Sequence, residues 1–228
     1  MATYVMSDVH GEAKRFHAML EKIGFSDEDQ LYIIGDVLDR GPDGVALLRE
    51  IMDTPNITML LGNHEYMCLR YFGEDASETD IRRWNKNGNG PTLYGLSRLA
   101  RKEFLEVMDY LKDLPSHTDL EVAGKKFYLV HGFPGERVHD RVWNRPALDT
   151  PNPIPDHRLI IGHTPVLSLG WEPEERLPYV EELALRGEHF RILHTPGFID
   201  LDCGCGHTYL GTALSCLRLE DMQEFSET

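Results

Sequence analysis

Residues 57–67 read ITMLLGNHEYM. A strand-like run from Ile57 to Leu61 meets Gly62, and Asn63, His64 and Glu65 follow with nothing apolar among them. One such ending can be an ordinary turn, because Asn and Gly are common turn residues and His and Glu start helices. Reading outward in both directions, the same ending recurs. YVMS runs into Asp8 and His10, YIIG into Asp36, FYLV into His131 and LIIG into His163. A solvated turn would have to be invoked at every one of these sites, although turns demand histidine only weakly. In open α/β sheets ligands bind outside the carboxyl ends of the strands, so these side chains are expected to converge on one cleft.

The intervening segments fit that layout. In EAKRFHAMLEKIG, Phe16, Met19, Leu20 and Ile23 fall at helical spacing, and DGVALLREIMD places Val45, Leu48, Ile51 and Met52 on one face. Strand and helix therefore alternate through the first third, which predicts a parallel sheet with helices packed against it. Residues 65–114 read as mostly helical. HTDLEV and KKFYLVHG are two strands meeting at Ala123-Gly124, a hairpin signal, and DTPNPIPD is a stiff loop. The last third returns to strands in RLIIG, FRILHT, GFIDLDCG and TALSCLRLED. The expectation is an α/β fold of two packed sheets in one domain, residues 1–228.

At 228 residues the chain can bury one sizeable core. Its formal net charge of -15 repels nucleic-acid backbone and anionic lipid, so no nucleic-acid or membrane partner is expected, and a polyanionic substrate must meet a local positive feature such as metal ions. No apolar run approaches the roughly 18 residues of a spanning helix, and the start MATYVMSDVHG lacks a basic leader, so a cytoplasmic location is the expectation. Cys68, Cys203, Cys205 and Cys216 make no CxxC pair and read as buried thiols, with Cys203 and Cys205 on one face of a strand.

Asp8, His10, Asp36, Asn63, His131 and His163 form a mixed oxygen and nitrogen ligand set without thiolate, suited to Mn²⁺, Fe or Zn²⁺ more than to Ca²⁺. It is too large for one catalytic ion that keeps an open position, and fits two ions sharing a carboxylate, with Asp36 the natural bridge. With two divalent ions, the carboxylates of Asp8 and Asp36 and one hydroxide, a single positive charge is left to attract an anionic substrate. A carboxylate at position 63 would cancel it, which gives Asn63 a part in substrate binding.

SDVHG, GDVLDRG, GNHE, VHG and IGHTP, in this order, resemble the signature of the calcineurin-like metallophosphoesterases, and specifically their phosphoprotein phosphatase branch in its compact bacterial and phage form. The tail GFIDLDCGCG…LSCLRLED is also similar to bacterial members. Two departures are Ser7, where relatives commonly have glycine, and Asn89 in NGNGP, where they have Asn-Gly-Gly. The resemblance implies a β-sandwich of two mixed sheets flanked by helices, with a binuclear centre between the sheet edges. Asp8, His10 and Asp36 would hold one ion, and Asp36, Asn63, His131 and His163 the other, with Mn²⁺ the leading expectation.

The expected chemistry is in-line attack on phosphorus by a hydroxide bridging the ions, with His64 as general acid. Asp39 would orient its imidazole, and Arg40 presents a planar fork to phosphate oxygens. Arg145 in VWNRPAL resembles the family's second phosphate-binding arginine, with Arg141 its rival. Substrates would be phosphorylated proteins, as a serine/threonine phosphatase, or small phosphoesters. Glu65 favours that reading, because diadenosine tetraphosphate hydrolases, the alternative, typically resemble GNHD there. A third reading is a non-catalytic metal-binding regulator. His207 and the remaining histidines outside the ligand set read as surface or turn residues, except His17 on the first helix. The acidic stretch 171–190 reads as a solvated connection with a short helix, or as a lid over the cleft.

Overall fold

The computed structural model describes residues 1–228, the side chain of Pro173 excepted. Ten strands form two mixed sheets of five. The first contains β1 (Thr3–Met6), β2 (Gln30–Ile33) and β3 (Ile57–Met59), which are parallel, and the second contains β4 (His117–Val122), β5 (Lys125–Val130), β6 (Arg158–Ile161), β7 (Leu193–His194) and β8 (Ile199–Asp200). β9 (Leu214–Arg218) and β10 (Gln223–Glu227) extend the first sheet antiparallel, giving the order β10-β9-β1-β2-β3. The second runs β4-β5-β6-β8-β7, with β5, β6 and β8 parallel. Each sheet thus has a parallel centre whose carboxyl ends can meet.

Alternation of side chains decides how the sheets stack. Val5, Phe127, Leu129, Ile160 and Leu217 join one buried cluster between the sheets. Their neighbours point the other way. Tyr4 and Met6 enter the cluster under the helices of the first sheet, and Tyr128 and Val130 a cluster outside the second. The layers are therefore helices, sheet, sheet and a smaller outer cluster. Truncating Phe127, fully buried between the sheets, should cost about 3–5 kcal/mol.

Helix α1 (Ala13–Ile23) buries Phe16 and Met19, as the spacing predicts, and stops at Gly24, whose φ of 62° is the left-handed cap that glycine adopts without strain. α2 (Gly44–Met52) buries Val45, Leu48 and Ile51. The helical stretch resolves into α3 (Asn63–Phe72), α4 (Glu78–Lys86), α5 (Gly90–Ser97) and α6 (Arg101–Asp113). α7 (Val138–Trp143) and α8 (Val166–Gly170) are short. No helix among the described residues is long and apolar enough to cross a membrane.

Two local expectations need correction, and one strand was not anticipated. The acidic connection is a full helix, α9 (Pro173–Arg186), because Val180 and Leu183 bury against Phe190 and Trp171 stacks on Tyr179 at 3.7 Å. β10 gave no apolar signal because it is a charged edge strand, the kind that resists further pairing. Cys203 and Cys205 do not share a face: Gly204, with φ of 81°, turns the chain so that the two thiols enter different clusters. All four cysteines are buried and free.

Candidate metal centre

The carboxyl ends of β1, β2 and β3 deliver Asp8 and His10, Asp36, and Asn63 with His64, while β5 and β6 deliver His131 and His163. All seven side chains are buried, and they meet between the sheets. Nine non-glycine residues have positive φ, and six of them lie here: Asp8, His10, Asp36, Asp39, Arg40 and His163, at 47–70°. Left-handed backbone at a residue with a side chain costs of order 1–3 kcal/mol, and Asp and His tolerate it best. Strain of this kind persists only where surrounding contacts over-determine it. The loops after β1 and β2 supply such contacts, since Asp8, His10 and Gly11 donate backbone N–H groups to the carbonyls of Gly35, Asp36 and Val37. Gly62 must be glycine because a Cβ would strike the carboxylates of Asp36 and Glu65.

Each aspartate has one oxygen fixed and one left open. Asp8 Oδ2 accepts the His163 backbone N–H at 3.0 Å and the Ser7 hydroxyl, while Oδ1 lies 3.9 Å from His10 Nε2. Asp36 Oδ1 accepts the His64 backbone N–H at 2.9 Å. Its Oδ2 faces three imidazole Nε2 atoms: His131 at 3.3 Å, and His10 and His64 at 3.8 Å.

The histidine tautomers follow from their other nitrogen. His10 Nδ1 donates to the Leu38 carbonyl at 3.0 Å and His131 Nδ1 to the Ile34 carbonyl at 2.8 Å, which leaves both Nε2 lone pairs facing the centre. His131 Nε2 sits 2.9 Å from Asn63 Oδ1. Two acceptors this close require a positive species between them. Ligands about 2.1 Å from one ion stand about 3.0–3.4 Å apart in octahedral or tetrahedral geometry, so these spacings fit a cation. A proton can take its place: burial works against charging His131, but the Asp36 carboxylate outweighs it and holds the imidazole pKa at about 9. Burial keeps His10 and His163 well below the ordinary histidine range, hence neutral and able to ligate. His163 Nε2 is buried with no hydrogen-bond partner, as expected of an atom awaiting a ligand. Two groups sharing Asp36 meet the spacing a metal needs: His10, Asp36 and His64, and Asp36, His131 and His163.

Beside the centre, His64 Nδ1 donates to Asp39 Oδ2 at 2.6 Å, leaving Nε2 toward the cleft. Asp39 also accepts from Trp84 Nε1 and the Thr92 hydroxyl, both at 2.6 Å. Arg40 Nη2 reaches His64 Nε2 at 3.3 Å. Arg40 and Arg145 line a cavity of about 470 Å³ together with His163, Ser168 and His207. Arg141 lies elsewhere, donating to Ser116 Oγ and the Glu136 carbonyl.

Several residues here escaped sequence reasoning. Trp84 and Thr92 carry no local signal, because their partner is 45 and 53 positions away. His207, expected at the surface, is instead partly buried against Arg40. Asp200 and Asp202 end β8 as the other aspartates end their strands, a pattern that could have flagged them. Glu65 does not face the cleft at all. Its carboxylate accepts backbone N–H groups from Asp36, Val37, Leu38 and Gly62 at 2.8–3.1 Å.

A family model described as calcineurin-like phosphoesterase matches residues 1–209. The chain belongs to this family. It is 42% identical over 133 residues to the symmetrical bis(5'-nucleosyl)-tetraphosphatase of Nitrosomonas europaea, covering 58% of this chain and 44% of that protein. It is 33% identical over 130 residues to serine/threonine-protein phosphatase 2 of Salmonella typhimurium, covering 56% of each. The chain spans about half the length of the curated relatives it matches. A protein serine/threonine phosphatase from Saccharomyces cerevisiae shares the fold, with a TM-score of 0.60 at 13% identity over 100% of this chain and 79% of that one. The family model is described as a phosphoesterase, and the strand ends of this chain bring together two groups of side chains that could hold a metal ion.

Proposed function

We propose that this phosphoesterase cleaves dinucleoside polyphosphates of the symmetrical tetraphosphate kind. The observation that carries the substrate class is the 42% identity to a tetraphosphatase, against 33% to a protein phosphatase over a similar span. Glu65, whose place in the GNHE motif favours phosphoprotein by resemblance, accepts backbone N–H groups and does not face the cleft, so it adds no substrate contact to that preference. Protein phosphatase activity is the second reading. It is supported by a net charge of -15 and by a cavity with only two guanidinium groups among its lining residues, a modest complement for a polyphosphate.

The residues divide the work the same way in either case. Asp8, His10 and Asp36 would hold one divalent ion, and Asp36, Asn63, His131 and His163 the other. When bound, the ions polarise phosphoryl oxygens and activate water. Arg40 and Arg145 bind and orient the phosphoryl group from the open side of the cleft. His64 delivers a proton from Nε2 to the departing oxygen, and Asp39, itself locked by Trp84 and Thr92, keeps that nitrogen aimed. The deciding experiment reconstitutes the stripped protein with Mn²⁺ and compares initial rates on diadenosine tetraphosphate and a phosphoserine peptide at matched concentration. Faster dinucleotide cleavage supports the proposal, and faster peptide hydrolysis replaces it with the phosphatase reading.

A further inference from the structure

Both terminal nitrogens of Arg40 donate to imidazoles, Nη2 to His64 Nε2 at 3.3 Å and Nη1 to His207 Nε2 at 3.0 Å. The two bonds have different fates in a reaction. A His64 that donates a proton must carry it on Nε2, where it would repel the arginine N–H. The Nη2 arm therefore has to leave His64 as phosphoryl oxygens arrive. Nothing in the reaction requires the Nη1 arm to move.

His207 is built to keep that arm in place. It follows Gly206, where a Cβ would strike His10, so the loop lies directly against the centre. Its ring lies 5.1 Å from that of Tyr209 at 31°, and Tyr209 meets Phe190 edge-on at 5.9 Å. These contacts fix the direction of the Nε2 lone pair. Burial, with Arg40 alongside, pushes its pKa down to about 4, so the lone pair is available at neutral pH. The backbone of Arg40 is held too, its N–H donating to the Gly88 carbonyl at 3.0 Å.

We propose that His207 is a positioning residue that pivots Arg40, anchoring Nη1 while Nη2 swings from His64 to the substrate phosphoryl group. The inference rests on Arg40 as a phosphate ligand and not on which phosphoester is the substrate. A fork with one arm already tied loses less freedom on binding, which favours affinity for phosphate over the chemical step. His64 is released by the same swing.

The test titrates Mn²⁺-loaded protein with inorganic phosphate in a calorimeter, with p-nitrophenyl phosphate kinetics and metal content measured alongside. His207→Phe should raise the phosphate dissociation constant and KM about tenfold, with a smaller fall in kcat, since a hydrogen bond to a charged group is lost. His207→Gln, whose amide oxygen can accept from Arg40, should recover most of both. Unchanged phosphate binding in His207→Phe overturns the pivot. Equal weakening in the Phe and Gln variants also overturns it, because loop packing would then be the cause. If Arg40→Ala binds phosphate normally, the reading of Arg40 falls and the pivot with it. Weak binding in Arg40→Ala with normal binding in His207→Phe removes the pivot alone.

Discussion

On the side of the first sheet, the Glu65 carboxylate ties the loop carrying Asp36 at three backbone N–H groups and the loop after β3 at a fourth, that of Gly62, and Asp39 is saturated by His64, Trp84 and Thr92. On the side of the second sheet, His163 Nε2 and Asp200 Oδ2 are buried with no hydrogen-bond partner. Both sides feed one centre. A buried polar atom left unpaired costs about 1–3 kcal/mol, so the second side pays a penalty that the first avoids. The difference separates two ways of building a site. We expect the first sheet to hold its ligands chiefly through contacts made on folding, while the second leaves two atoms to be completed by a bound species, a cation at His163 Nε2 and a proton at Asp200 Oδ2.

The largest effect expected from this contrast falls on His64. His64→Asn should slow hydrolysis of an alkyl phosphoester roughly 10²–10⁴-fold, with a smaller loss on p-nitrophenyl phosphate, whose leaving group needs no proton. Metal content should stay at the parent value. Its Nε2 is as near to Asp36 Oδ2 as that of His10, 3.8 Å in each case, so metal loss in this variant would make His64 a ligand and break the expectation that contacts made on folding hold the first side. Glu65 comes next. Glu65→Ala orphans buried N–H groups and should cost at least about 3 kcal/mol in denaturant unfolding. Glu65→Asp, a methylene short of the same donors, should lower rates on dinucleotide and phosphopeptide together. A reversal of their ranking would show that position 65 reads the substrate.

The strand ends were legible in the sequence because the first ligand of each strand follows an apolar run by one or two residues, and a buried strand ending in Asp, Asn or His needs a reason. The supporting residues were not. Asp39 lies in the GDVLDRG motif, but Trp84 and Thr92 reach it from helices whose sequence shows only amphipathic or neutral patterning. The identity of Glu65 was visible and its direction was not: on a helix start the same carboxylate can face solvent, a cleft or the chain's own N–H groups, and tertiary packing decides among them. Left-handed φ at Asp8, His10 and Arg40 leaves no mark in composition, since any of these residues is ordinary in a turn. His207 looked like a turn histidine because its partner, Arg40, is 167 positions away.

Stripping the metal should sharpen the contrast at intermediate size. With ions at a hundred times their dissociation constant, their removal should lower stability by about 2.7 kcal/mol. Amide exchange should accelerate around residues 131–133 and 162–165 while the amides of Val37 and Leu38, held by Glu65, stay protected. Uniform acceleration on both sides would mean that the first sheet also needs the ions.

The smallest effect separates the two unpaired atoms of the second sheet. Burial, and then the neighbouring Asp202, raise the pKa of Asp200 well above the ordinary carboxyl value of 3.8. The folded protein therefore holds a proton that the unfolded chain releases, and Asp200 lowers stability as pH climbs above that value, with no penalty below it. Asp200→Asn keeps the shape and removes the titration. The variant should match the parent within about 1 kcal/mol at pH 4 and be more stable than it at pH 8. Denaturant midpoints at the two pH values, with metal held constant, measure this directly. A variant that loses stability at pH 8 would mean that Asp200 is ionised in the folded state, and that a cation, not a proton, completes this part of the second side as it does at His163.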